Sequence, residues 1–330
     1  MKSSIATTLL ALALTGASQA QTTVTTAPVG YTTQTLAANR QNLVGINVMT
    51  PVIASGSLTA VSGVTLSDTN TNFTQAITAG KTAVLEITSG TAAGTVQDFV
   101  TWNNNSITLP AAVSGAAVGN TYRIRLAPTL QEIFPVGTLA GSLFATSADK
   151  VWVPTGSGTY DRYWYRTGAS AGWRKTTNGT NDTGAVTSDV PLLYIDGIIV
   201  DKKGTAKDLV LMGEVKTQGS NVLLAQGQNL ISIVPPVGGT LFNSGLQGDI
   251  AGSLFATSAD IVMVPNGSGS FTRYWYRTGA SAGWRLTTNG STDAGAVSAD
   301  VSLPPSIVIQ RRSATPKVVT MNVPAAYTSL

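Results

Sequence analysis

The sequence predicts an all-β protein of two tandem β-sandwich-like repeat modules, the first interrupted by a small β-barrel or β-sandwich insertion. Three observations support this prediction. The segment RYWYRTGASAGWR occurs twice, at 162–174 and 273–285. Around both copies, apolar and polar residues alternate between turns rich in Gly and Asn, which is typical of short antiparallel strands. No segment keeps a helical period over three turns.

The repeat extends well beyond this segment. Residues 140–192 align with residues 251–303, and 40 of the 53 aligned positions are identical. Residues 41–46 resemble residues 228–233, but at a larger spacing along the chain. The larger spacing indicates an insertion that only the first copy carries. The predicted organisation is a signal peptide at 1–20, a first repeat module at 26–51 plus 129–212, an inserted small β domain at 52–128, and a second repeat module at 213–330.

The local pattern of each repeat predicts a β-meander. In the first copy, strands are expected at 149–154, 159–166 and 172–176, and the dipeptide Asn178-Gly179 that follows is typical of a tight turn. The same order recurs at 260–290 in the second copy.

The insertion also reads as short strands separated mainly by Gly or Asn. These strands are expected at 57–66, 82–88, 95–102, 106–109 and 121–126. Single helical turns are expected at 129–134 and 141–145.

The amino terminus has the pattern of a secretory signal peptide. A basic Lys2 precedes an apolar run at 5–14, and Ser18 and Ala20 place small residues where cleavage is determined. The apolar run is too short to cross a bilayer as a helix. We therefore expect a secreted, extracellular or cell-surface protein, with the periplasm as the alternative, and no transmembrane segment after cleavage.

Composition excludes several function classes. The chain has no Cys and no His, which excludes disulfides, thiol nucleophiles, Ser-His-Asp triads and nearly all zinc sites. Charged residues make up 11% of the chain, with 20 basic and 16 acidic residues that are scattered rather than clustered. We expect no nucleic-acid partner, no cofactor, no metal and no enzymatic activity.

The duplicated segment offers a candidate binding platform. On a strand, Arg162, Trp164 and Arg166 share one face, while Tyr163 and Tyr165 share the other. If the tryptophan face points outward, its ring can stack on sugars while the arginines hold hydroxyl groups. The same platform would recur in the second copy at Arg273, Trp275 and Arg277.

The alternative interpretation is structural. In it, Tyr163, Tyr165 and Trp173 lie in the sheet interface, and the arginine stems cover Trp164 in cation–π contact. Differences between the copies favour it, because Val151 and Val153 are unchanged in the second copy whereas the residues between them differ. We expect the structural interpretation at both platforms.

Carboxylates offer no obvious catalytic pair. The three glutamates, Glu86, Glu132 and Glu214, lie in different segments. Asp149 and Asp260 precede equivalent strands and are expected to be turn or cap residues. The segment 68–72 begins like a calcium loop but has Ala79 at the twelfth position, so an Asx-rich turn is expected.

Several motifs together resemble a paralogous family of secreted, function-unassigned β-repeat proteins of verrucomicrobia-type bacteria. The motifs are Gln41-Asn42-Leu43 with the apolar stretch to Pro51, Glu86-Ile87-Thr88-Ser89-Gly90 with Gly94, Tyr122-Arg123-Ile124-Arg125, Thr129-Leu130 with Phe134, and the block from Ser147-Ala148-Asp149 to Gly172-Trp173. The resemblance implies a secreted β-module without assigned catalytic residues.

The sequence therefore predicts a structural or adhesive cell-surface protein that acts by non-catalytic contacts, through self-assembly or envelope polymer binding. Its expected partner is a second copy of the chain, in a homo-oligomer or filament, or a cell-surface polysaccharide. The first alternative is a carbohydrate-binding protein that uses the paired Trp/Arg platforms. A His-free glycoside hydrolase ranks last.

Overall fold

A computed structural model describes residues 27–156, 158–235 and 237–330. The prediction of an all-β fold is confirmed, since 44% of the chain is strand and 5% is helix. The predicted signal peptide at 1–20 lies outside the described residues.

The described residues up to Glu214 form sixteen strands and two single-turn helices. They are β1 (Val29–Leu36), β2 (Arg40–Gly45), β3 (Val52–Ser57), β4 (Ala60–Ser62), β5 (Thr65–Ser67), α1 (Phe73–Ala76), β6 (Ala83–Ile87), β7 (Val96–Asp98), β8 (Thr101–Trp102), β9 (Ser106–Thr108), β10 (Thr121–Leu126), α2 (Leu130–Ile133), β11 (Lys150–Pro154), β12 (Tyr160–Arg166), β13 (Gly172–Thr176), β14 (Asp182–Ala185), β15 (Gly197–Lys202) and β16 (Lys207–Glu214).

The rest of the chain repeats this order without the insertion. Its elements are β17 (Ser220–Leu224), β18 (Gly227–Ser232), α3 (Leu246–Asp249), β19 (Ile261–Pro265), β20 (Phe271–Arg277), β21 (Gly283–Thr287), β22 (Asp293–Ala296), β23 (Ser306–Arg311), β24 (Lys317–Met321) and a terminal 3₁₀ turn at Ala325–Tyr327.

The two copies build equivalent sheets. One six-stranded antiparallel sheet has the order β14-β13-β12-β11-β15-β2, and the other has the matching order β22-β21-β20-β19-β23-β18. Each is accompanied by a two-stranded ribbon, β1-β16 in the first copy and β17-β24 in the second. In the first copy the ribbon residues Leu36 and Leu211 share a buried core with Val151 and Val200 of the six-stranded sheet. Each copy is therefore a sandwich of one large and one small sheet.

The insertion forms a small domain of its own. Its two four-stranded sheets have the orders β3-β10-β6-β7 and β4-β5-β9-β8, and they enclose a core that includes Phe73, Ile107 and Tyr122. The domain is a two-sheet sandwich rather than a closed barrel. The predicted module boundaries stay predictions. Near them, the first strand of the insertion, β3, begins at Val52, and the last strand of the first copy, β16, continues to Glu214.

Most predicted strands are present, and three local predictions are wrong. The expected strand at 57–66 is instead a hairpin of β4 and β5, whose turn contains Gly63 with a positive φ of 57°. The expected strand at 95–102 is split into β7 and β8, which belong to different sheets. The expected helical turn at 141–145 is an irregular segment.

The two repeats pack against each other through equivalent strands. Leu43 and Ile199 of the first copy lie against a cluster that includes Leu230 and Val308 of the second. Gly45 pairs with Gly197 in the first copy, and the second copy has the pair Ser232–Ser306 at the corresponding place. A Cβ atom on Gly45 would collide with the Pro305 carbonyl oxygen, and one on Gly197 would collide with the Ser306 hydroxyl. The glycine pair therefore permits this close approach.

Replacing Gly45 by Ala should destabilise the protein by more than about 2 kcal/mol, because the new methyl group meets backbone rather than a mobile side chain. Gly248→Ala is the matched control, since Gly248 lies in helix α3 with open space around its Cα. Urea unfolding curves of the two variants measure the difference. Equal unfolding midpoints would contradict the close approach.

Candidate functional site

The tryptophans of the predicted platform lie in the interior. Trp164 is 1% exposed and Trp275 is 0% exposed. Neither indole ring can stack on a sugar in this conformation, so the structure does not support the outward platform. The structural interpretation holds for the aromatic residues of the opposite face as well, where the rings of Tyr165 and Trp173 meet edge to face at 5.9 Å.

An irregular segment, 140–149, covers Trp164. Ala145 and Ala148 of this segment pack against the indole ring. The segment is attached to the end of β12, because the Ser142 N–H donates to the Tyr165 carbonyl at 3.1 Å and the Ser142 carbonyl accepts from the Thr167 N–H at 3.0 Å. We call this segment the cover. The corresponding segment of the second copy, 251–260, packs on Trp275 in the same way.

A buried carboxylate closes the cover. Asp149 accepts hydrogen bonds from the Ala140 N–H, the Lys203 N–H and the Lys202 ammonium, each at 2.7 Å. In the second copy, Asp260 accepts from the N–H groups of Ala251 and Arg312 and from the Arg311 guanidinium. These distances are 2.9, 2.8 and 3.0 Å.

The prediction that Asp149 and Asp260 are turn or cap residues was therefore incomplete. Both side chains are 0% exposed, and each joins two distant segments through an ion pair. Both carboxylates hold the fold together.

The arginines of the predicted platform have other partners. Arg162 stacks on Trp152, with its guanidinium carbon 4.2 Å from the ring centroid, rather than on Trp164 as expected. Arg166 lies 3.9 Å from Asp182 in an ion pair. Arg273 and Arg277 are partly buried at the equivalent positions of the second copy. Arg162 and Arg166 lie on one face of β12, and Arg273 and Arg277 lie on the corresponding face of β20, which belongs to the other six-stranded sheet.

Apolar side chains are exposed instead on the β1-β16 ribbon. Val29, Tyr31, Val210 and Met212 point away from the core and are 73%, 74%, 55% and 76% exposed. Tyr31 lies directly opposite Met212 in the register of the two strands. We call this surface the ribbon face. Contiguous apolar surface of this kind marks interaction sites on soluble proteins.

A groove of about 760 Å³ runs beside the ribbon. One side is formed by β16 and the other by residues of the insertion and of α2. Its lining is mainly apolar, and representative residues are Ile53, Leu126, Ala127, Pro128, Ile133 and Met212. The ribbon face and the groove together are the candidate functional site, because they join an exposed apolar surface to an open recess.

A cluster of buried charges lies where the insertion meets both repeats. The Lys216 ammonium forms an ion pair with Glu86 and lies 5.6 Å from the Tyr194 ring centroid. Arg125 forms a second ion pair with Glu214, at 2.5 Å. Burial lowers the pKa of Lys216. These pairs attach the insertion to the repeats and provide charge compensation in a region that excludes water.

Two further carboxylates, Asp98 and Asp196, lie at this junction, and within the described residues neither forms an ion pair. Burial, with a smaller contribution from Asp98, raises the pKa of Asp196 to about 6. The second copy has Pro305 at the position of Asp196, so this acidic pair belongs to the first copy alone.

The remaining acidic candidates are engaged in local structure. Asp68 accepts from the Tyr122 hydroxyl at 2.7 Å, the Thr71 hydroxyl at 2.9 Å and the Asn70 N–H at 2.9 Å. The last contact is the predicted Asx turn. Burial raises the pKa of Asp68, but these hydrogen bonds outweigh it and lower the pKa below the usual value. Glu132 belongs to a capping box with Thr129 at the start of α2.

The described part of the chain holds no group of three or more acidic residues placed to bind a metal ion. It also holds no helix with the length and apolar character that a bilayer span requires.

Comparison with known proteins adds no assignment. No protein-family model matches the chain, and no significant match was found among curated proteins or solved structures. The resemblance to secreted β-repeat proteins stays a prediction.

The sequence interpretation missed the candidate site. The groove is formed by segments far apart in the chain, which no local pattern connects. One signal was present, because β1 shows regular alternation over Val29–Leu36 with its outward positions occupied by Val29 and Tyr31. Two apolar residues in succession on the outward side of one strand favour a contiguous apolar patch, and such patches mark contact surfaces.

The acidic pair at the junction predicts a pH-dependent stability. The folded-state pKa of Asp196 lies above its ordinary value of 3.8, so the folded state binds more protons between about pH 4 and pH 6. The free energy of unfolding should therefore fall as the pH rises through this window. Asp196→Asn should remove this dependence and stabilise the protein by up to about 3 kcal/mol at pH 7.

Urea unfolding from pH 4 to pH 8 measures this effect. Asp98→Asn should weaken the dependence without abolishing it, because it removes only the smaller contribution. Identical pH profiles for Asp196→Asn and the unmodified protein would contradict the assignment.

Proposed function

We propose that this chain is an extracellular structural or adhesive protein that acts by non-catalytic contact through the ribbon face and the groove. The supporting observation is the exposure of Val29, Tyr31, Val210 and Met212 on one surface. Burying such side chains against a partner removes apolar area from water and is worth about 25 cal/mol per Å² before the costs of association. The partner is envelope material or a second copy of the chain.

The alternatives gain less support. A carbohydrate-binding function was predicted from Trp164 and Trp275, whose rings are covered. A glycoside hydrolase requires two carboxyl groups that face a shared cleft. Glu86 and Glu214 are engaged in ion pairs, and Glu132 caps a helix.

The proposal is tested with the double variant Tyr31→Ser, Met212→Ser. Both side chains point outward from the ribbon, so the core stays intact while the apolar face is lost. We expect the unmodified mature protein to bind a cell-envelope fraction or to self-associate, and the variant to lose at least about tenfold in affinity. Co-sedimentation with envelope material and sedimentation velocity of the protein alone measure the two kinds of contact.

The matched control is Leu143→Ser, Phe144→Ser. These side chains are 55% and 69% exposed but lie on the cover, away from the ribbon. They should leave both kinds of contact unchanged. An unmodified protein that stays monomeric and binds no envelope material would refute the proposal, and so would equal losses in the two double variants.

A further inference from the structure

The outer edge of β16 carries unpaired backbone groups. Glu214 at the end of this strand exchanges two hydrogen bonds with Met49, at 2.7 and 2.9 Å, on the side away from β1. Backbone groups alternate in direction along a strand, and the β1-β16 register is unbroken. Asp208, Val210 and Met212 therefore also direct their N–H and C=O groups away from β1. Within the described residues, none of these groups has a hydrogen-bond partner.

The chain begins a third strand of the ribbon but does not continue it. Met49 pairs with Glu214, and the Thr50 hydroxyl then donates to the Leu126 carbonyl at 2.6 Å. After Pro51 the chain leaves for β3 of the insertion. The unpaired edge of β16 therefore begins directly beside the Met49–Glu214 pair. At this place the chain itself supplies one residue, Met49, of a third strand.

In the second copy, the backbone N–H groups of the corresponding strand edge have hydrogen-bond partners. The equivalent strand is β24, where Thr320 corresponds to Val210, and Asn322 directly after the strand corresponds to Met212. The Thr320 N–H donates to the Asp249 carboxylate at 2.7 Å, and the Asn322 N–H donates to the Ser244 carbonyl at 2.8 Å. Helix α3 packs beside β24. In the second copy, these backbone N–H groups of the strand edge therefore have hydrogen-bond partners within the fold.

Two sequence differences leave the edge of β16 in the first copy without hydrogen-bond partners among the described residues. The fourth residue of the single-turn helix is Asp249 in α3 but Ile133 in α2, and an isoleucine side chain cannot accept a hydrogen bond. The connection from α2 to Leu139 is also five residues longer than the connection from α3 to the equivalent Ile250. Beside the edge of β16, the first copy therefore has the groove instead of a packed helix and connection.

The groove has the lining that an added strand requires. Ile53, Leu126 and Ile133 contribute apolar surface opposite β16, and the lining also includes two cations, Lys81 and Lys207, and two carboxylates, Glu132 and Asp208. A strand placed here would be held by backbone hydrogen bonds, with its alternate side chains against the apolar wall. Because that wall closes the side away from β16, one chain fits the groove, whereas the edge of a second folded copy would bring its own sandwich against the wall.

We propose that the free edge of β16 and the groove bind an extended polypeptide strand of a partner protein, one with apolar side chains at alternate positions. This proposal rests on the contact function above and names the chemistry of the partner. The strand pairs with Asp208, Val210 and Met212 and completes the third strand that Met49 begins.

A library of nine-residue peptides tests the proposal. The peptides alternate apolar residues with Ser or Thr, are displayed on phage, and are selected on the immobilised mature protein. A second library with the same composition in scrambled order is the control. We expect enrichment from the alternating library alone. Methylating those backbone nitrogens of an enriched peptide that face β16 should weaken binding at least about tenfold.

The variant Val210→Pro removes one edge N–H without touching the hydrogen bonds between β1 and β16, since that N–H points away from β1. Thr33→Pro is the matched control, because Thr33 is the register partner of Val210 and directs its N–H to the opposite edge of the ribbon. Circular dichroism verifies that both variants fold. Peptide affinity should fall at least about tenfold in Val210→Pro and stay within about twofold in Thr33→Pro.

Three results would overturn the proposal: no enrichment from the alternating library, unchanged affinity of the methylated peptide, or dimers of the protein that Val210→Pro abolishes. The last result would show that a second copy occupies the edge. If the peptides fail while Tyr31→Ser, Met212→Ser still weakens envelope binding, the proposed function stands and only the strand-binding inference falls.

Discussion

Each repeat depends on one buried carboxylate. Asp149 is fully enclosed, so its charge must be compensated by Lys202 and by two backbone N–H groups within the fold. A buried charge that loses its partner costs roughly 3–5 kcal/mol, so the loss of the Lys202 contact should strongly destabilise the repeat. These contacts hold the cover against the sheet, and the cover places Trp164 in the interior. The second copy repeats the device with Asp260 and replaces the ammonium by the Arg311 guanidinium, which shows that the compensated charge matters more than the identity of the cation.

The covers and the contact between the repeats both lie on the outer faces of the six-stranded sheets. The cover occupies one part of the outer face of each six-stranded sheet, and the other repeat occupies another part through Gly45 and Gly197. The β1-β16 ribbon is different, because the insertion takes the chain away at Pro51 before a third strand forms. The two copies contain equivalent ribbons. Asp249 accepts a hydrogen bond from the edge of the second ribbon, whereas the first copy has Ile133 at that position.

Alternation and turn residues were enough to predict the meander strands β11, β12 and β13, because their signal is local. Alternation also shows which residues share a face, but it does not show which face is covered. Trp164 was ambiguous for this reason, since its cover is an irregular segment without a period. The groove could not be predicted, because its walls come from β16, the insertion and α2. The contrast between Ile133 and Asp249 was visible in the sequence, but it acquires meaning only when the structure places Asp249 beside the Thr320 N–H.

The account is tested most directly by amide hydrogen exchange in the unbound protein, resolved at single residues by NMR. Val210 and Thr320 occupy equivalent positions in the two copies, and both belong to ribbons that pack on a core. The account predicts that the Val210 amide exchanges at least about a hundredfold faster than the Thr320 amide, because only the latter donates a hydrogen bond. Equal protection of the two amides would show that the edge of β16 is already satisfied, and the open edge would then not exist.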